Sequence, residues 1–275
     1  MTISEHSVLL KTGIGVSLLA AAAFAVFAIN TFPLYSALIS GAATRSAPAF
    51  IVSLQPEPAA HTALASAGIA VLFALVTQFL LYYFFEKTQS IEIRLFSIFL
   101  FSFVFEILRI ALPVKEALDL SGYIPVLAMR LVVFGRFYGL FALLAAGLYA
   151  SGLKIQEEEA LIFPIVIIAL LFAFRIPLDT FNYDTSLYPV TGFQNILKTV
   201  NAAIVIMSIF SFASGAYTRG IHEYYFTALG ILAAALGRTL LFMADTWLIL
   251  FPGLVFLVFG TWLTGSQLRR IYLWV

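Results

Sequence analysis

The charged residues of this chain fall mostly between apolar runs, not within them, and each run is long enough to cross, or nearly cross, a hydrocarbon core of about 30 Å as an α-helix. In lipid no water is present to satisfy backbone N–H and C=O groups, so such runs must be helical. Eight runs stand out: Thr12 to Thr31, Thr62 to Phe85, Leu95 to Leu112, Tyr123 to Gly152, Ala160 to Phe174, Thr199 to Tyr217, Tyr224 to Phe242 and Trp247 to Thr264. The expectation is an all-α polytopic membrane bundle of eight spans, with residues 1–275 forming one transmembrane domain and leaving no room for a soluble one.

Composition agrees. The chain is 62% hydrophobic and 11% charged, against about 45–50% and about 25% in a soluble domain. A net charge of +1 offers no basic stripe to neutralise phosphates, which argues against a nucleic-acid partner. With no cysteine, disulfides, thiolate catalysis and cysteine metal sites are excluded. The histidines, His6, His61 and His222, are far apart and outside the runs, and no zinc-protease, nucleophilic-serine or phosphate-loop motif is present. No cofactor and no metal are expected, and enzymatic chemistry is disfavoured.

The first run has two readings. Its short polar start and small-residue end (Ala23-Phe24-Ala25) fit a cleaved signal peptide, which would leave seven spans. The uncleaved reading is preferred, because a single lysine, partly offset by Glu5, makes a poor signal start. With eight spans and an inside N-terminus, Lys11, Lys87, Arg94, Lys154, Arg219, Arg269 and Arg270 lie on the inner side, and Arg45, Lys115, Arg175 and Lys198 on the outer. Seven against four favours cytoplasmic termini, as in a bacterial inner membrane.

The spans also repeat. A shift of 63 positions carries Ala150-Ser151-Gly152 onto Ala213-Ser214-Gly215, Phe163 onto Phe226, Ile168 onto Ile231, Arg175 onto Arg238 and Leu178 onto Leu241. This suggests repeated helical hairpins, each with a basic inner loop and an arginine near the outer end of the returning helix.

Those arginines are the main functional clue, since a charge inside a membrane costs at least about 2.5–3.5 kcal/mol on insertion scales. Arg109, Arg175 and Arg238 follow the charge that opens their helices by 15, 16 and 15 positions. That places them roughly 22–24 Å above the inner side, and Arg136 at a similar height. Arg130 lies above them. Glu106 precedes Arg109 at the i,i+3 spacing where side chains meet, and Asp179 and Asp245 close the outer helix ends. The surplus of cations points to an outward pocket for an anionic or amphiphilic ligand lined by Arg109, Arg136, Arg175, Arg238, Glu106 and Arg130. The plain alternative is that these arginines reach headgroups or pair between helices.

Smaller features add detail. The Tyr- and Asp-rich stretch from Ile176 to Asn195 reads as an interfacial loop able to cap a pocket, and the proline-bearing stretch from Leu34 to His61 as a surface segment. Gly230, Ala233, Ala234 and Gly237 form a close-packing face suited to an internal helix pair. Pro164 and Pro252 predict kinks, and Glu157-Glu158-Glu159 a solvated helix start.

In its succession of spans the chain resembles seven- or eight-span bacterial sensor modules, through architecture alone and no motif. It reads as a binding or sensing module that meets membrane lipids and a separate signalling protein. A proton-coupled secondary transporter using Glu106 is the alternative, and a lipid-modifying enzyme a weaker third.

Overall fold

The computed structural model describes residues 3–30, 59–86, 88, 90–111, 114–115, 123–152, 161–183 and 187–273. Most of the proline-bearing stretch, Glu157 to Glu159, Lys87, Lys154 and Arg45 lie outside the described residues, as does the side chain of Asp179.

The apolar runs are helices. In chain order these are α1 (Ile3–Asn30), α2 (Ala59–Phe85), α3 (Ile91–Phe101), α4 (Tyr123–Ala150), α5 (Ile162–Arg175), α6 (Gln194–Arg219), α7 (Glu223–Phe242) and α8 (Trp247–Leu273). Six of them are long and apolar enough to cross a membrane. The other two differ from simple spans. Helix α5 has 14 residues and rises only about 21 Å. Helix α3 passes directly into a 3-10 helix, η1 (Ser102–Ile110), and the composite rises about 34 Å, enough to cross. The fold is therefore an all-α bundle of apolar helices.

Its surface is that of a protein solvated by hydrocarbon. Leu19 is 72% exposed, Phe210 70% and Leu248 83%, a density of bare apolar side chains that a water-soluble chain would bury. The main core joins Ala70 and Phe73 of α2, Phe96 and Phe99 of α3, Phe103 of η1, Ala146 of α4 and Leu241 of α7. Helix α1 packs on α2, with the Phe24 ring in the space left by Gly68.

Where two helix backbones touch, glycine is the reason. A Cβ on Gly230 or Gly237 would strike the backbone of α8, and one on Gly253 or Gly260 the backbone of α7. The small-residue face of α7 is thus an intramolecular seam, as the sequence suggests. Helices α4 and α6 make a similar contact at one end, through Gly147 against Ser208 and Ser211, and Gly215 against Ala150. The Ala-Ser-Gly triplets that align in sequence therefore pack on each other.

Two expectations need correction. Pro164 does not kink α5, because it sits in the first helical turn, where a missing N–H costs no bond. The stretch after α5, read as an interfacial loop, carries a small antiparallel sheet. Strand β1 (Leu178–Tyr183) pairs with β2 (Pro189–Thr191), with Leu178 opposite Thr191. Its Thr, Phe and Tyr residues suit extended backbone.

Candidate functional site

Glycine also brings the charged layer together. On α4, Gly135 faces Phe105 and Gly139 faces Ser102, each so closely that a Cβ would overlap them. The 3-10 segment therefore lies directly on α4. Winding at three residues per turn stacks Phe103, Glu106 and Arg109 in one row, and all three are buried to within 1%.

Glu106 is the centre of the layer. It accepts from Arg136 in a two-pronged pair, Nε to Oε1 at 2.8 Å and Nη2 to Oε2 at 2.9 Å. Arg109 approaches the same carboxylate at 3.6 Å and donates to Ser66 Oγ on α2 at 3.1 Å. Arg238 of α7 donates through Nη2 to the Arg136 carbonyl at 2.6 Å. Its Nε and Nη1 are buried and have no hydrogen-bond acceptor. What they face is aromatic: the guanidinium carbon lies 5.5 Å from the Phe99 ring centre, 5.7 Å from Phe103 and 5.1 Å from Phe242. Such contacts compensate a buried cation only in part.

Arg136 is held between two rings, 4.0 Å from the centre of Tyr188 and 4.5 Å from that of Phe242. Tyr188 comes from the connection between the two strands, so the sheet covers the layer. Beside it, Leu187 is 7% exposed and packs with Phe27, Leu64, Met129 and Val132. Its backbone is left-handed, with φ at 55°, a conformation that costs a non-glycine residue about 1 kcal/mol or more. Burial of the side chain holds it there. Desolvation pushes the Tyr188 phenol above its ordinary pKa, against the lowering influence of Arg136, so the ring stays neutral.

Three of the four arginines expected at one depth thus meet near Glu106: Arg109, Arg136 and Arg238, from three different segments. Arg130 and Arg175 stand apart. Arg130 donates to the Ala173 and Phe174 carbonyls at 3.1 and 2.8 Å, closing the end of α5 where the helix dipole favours a cation. Arg175 is exposed at the last residue of α5. Asp245 contributes a backbone carbonyl to the Thr62 hydroxyl at 2.7 Å.

A cavity of about 410 Å³ lies against the layer, between α4, α6 and α7. Arg136 and Arg238 form part of its wall, with Lys198 and Asn201 from the start of α6.

A second polar group escaped the reading of the sequence. Glu92, and Arg94, which that reading places on the inner side, are 1% and 3% exposed. Glu92 accepts from Ser90 Oγ at 2.8 Å and from the Tyr224 hydroxyl at 3.3 Å, with Arg219 at 3.8 Å. The signal was available, since Glu92, Phe99 and Glu106 recur at heptad spacing along one face. Among the described residues no three His, Asp or Glu side chains gather as metal ligands would.

Comparison with known proteins gives little more. No family description matches the chain, and no solved structure does. A protein of Treponema pallidum (strain Nichols) described as uncharacterized is 35% identical over 136 residues, which is 50% of this chain. The match spans only 38% of that relative's length.

Proposed function

We propose that the protein is a membrane binding or sensing module whose arginine layer takes an anionic or amphiphilic ligand from the outer side of a bacterial inner membrane. The observation that carries this reading is an under-compensated buried cation. Arg109 and Arg136 meet at Glu106, and Arg238, bonded to the Arg136 carbonyl beside them, has two buried nitrogens with no acceptor among the described residues. Burying unpaired charge is costly, and an anion bound there would recover the cost. Guanidinium forks suit carboxylate, phosphate or sulfate. The orientation rests on the seven-to-four bias of basic residues, which puts both termini in the cytoplasm. A separate signalling protein would read the bound state.

The test is mass spectrometry of lipids and metabolites retained by the purified chain. The expected result is a stoichiometric anionic species that Arg136→Ala abolishes. A wild-type protein that retains no anion sinks the proposal.

One observation favours a second reading, as a proton-coupled secondary transporter. Glu106 sits on a 3-10 segment within the bundle, and such departures from α-helix accompany moving elements. Reconstituted protein would then show pH-driven flux that Glu106→Gln removes, whereas a sensor has no flux to lose.

A further inference from the structure

The cavity beside the arginine layer is bounded at one end, where helix backbones meet. At the closed end α6 lies directly on α4 through Gly215 and Gly147, and α6 and α7 are joined by a tight turn at Gly220, whose φ is 67°. The cavity of about 410 Å³ lies toward the start of α6, where Lys198, Asn201, Val205 and Ile206 line it. Arg136, Arg238, Lys198 and Asn201 supply its charged and amide groups, while most of the remaining wall is apolar, including Val205, Ile206, Leu232 and Leu236. The last two are 38% and 50% exposed, so the groove opens sideways between α6 and α7, where lipid would lie.

Resting on the ligand-binding reading above, we infer that this groove is an anionic-lipid site: a phosphate headgroup meets Arg238, Arg136 and Lys198, and an acyl chain lies along the α6–α7 cleft. Three features support this assignment, and the last asks for more than a free anion. Arg238 forms part of the groove wall, and two of its buried nitrogens lack an acceptor, so its charge is under-compensated beside the groove. Lys198 adds an exposed cation that no other part of the layer uses. The largely apolar remainder of the wall offers a phosphate little and a hydrocarbon chain much. Lys198 and Asn201 extend the site beyond the arginines singled out from the sequence.

The experiment uses the full chain in an uncharged maltoside detergent, titrated separately with dihexanoyl phosphatidic acid, inorganic phosphate and dihexanoylglycerol. Binding is read by native mass spectrometry and by the shift in unfolding temperature. The expected result is saturable one-to-one binding of phosphatidic acid, at least tenfold weaker binding of phosphate, and none of the uncharged lipid. Arg238→Met and Lys198→Gln should each weaken phosphatidic acid at least tenfold. Ala202→Trp, which fills the groove without touching an arginine, should abolish it. Phosphate binding as tightly as phosphatidic acid would overturn the lipid assignment. Full phosphatidic acid binding by folded Ala202→Trp would overturn the groove, while an anion still retained through Arg136 would leave the broader reading standing. Failure of wild type to bind any probe removes the groove site, and the retained-ligand experiment then judges the arginine layer independently.

Discussion

Glu106 holds two guanidiniums, those of Arg136 and Arg109, with one carboxylate, so its charge matters more to the fold than its size. Replacing it with Gln keeps the shape and removes the neutralising charge. The expected loss is about 3–5 kcal/mol, the range for breaking a buried pair, read as a lowered unfolding temperature in detergent. Arg238 should behave in the opposite sense. Arg238→Met removes a buried cation whose Nε and Nη1 lack acceptors, and the ligand-free protein should gain about 1 kcal/mol. An equal or lower unfolding temperature in that variant would mean the guanidinium is better satisfied than its hydrogen bonds indicate. The sequence foretold this layer unevenly. Counting residues from the inner loops gives a height in the bilayer but not a direction around the helix. Arg109, Arg136 and Arg238 share both. Arg175 does not, because its helix is short and ends at that residue, and Arg130 is drawn instead to the carbonyls closing the same helix.

Among the elements, the helices were legible because apolar runs in lipid have one solution for their backbone. The 3-10 stretch was not. Ser102–Ile110 is ordinary in helix propensity, and its tighter winding reflects how it is seated on Gly135 and Gly139 of α4. Nor was the two-stranded sheet visible, since three to six residues leave too short a pattern to separate strand from loop. The α7–α8 seam gives a sharp test. Gly260→Val should destabilise the protein by about 1–3 kcal/mol, as overpacking does, because the side chain would meet the backbone of α7. Gly265→Ala, on the same helix with open space around its Cβ, should stabilise by about 0.5–1 kcal/mol. Thermal unfolding of the two variants side by side separates a packing role from a general intolerance of that helix to change.

For the whole molecule, the arginine layer joins η1, α4 and α7, while Glu92 ties α3 to α6 and α7 through Arg219 and Tyr224. Polar contacts thus hold the bundle at two separate places along its length, with an aromatic core of Phe73, Phe99 and Phe103 between them. A ligand neutralising the upper contacts should stabilise the entire bundle rather than one helix. At one hundred times its dissociation constant, such a ligand adds about 2.7 kcal/mol. The unfolding transition should move as one cooperative step, and a transition that splits on ligand addition would show that the two contact groups are uncoupled.

The nine residues of η1 span more distance than nine α-helical residues would, by about 4–5 Å. Rewinding them would shorten the segment by most of a helical turn and swing Glu106 out of line with Arg109. Because the same continuous segment carries Glu92 one residue from its start, such rewinding would also change the distance between the arginines and the far contacts.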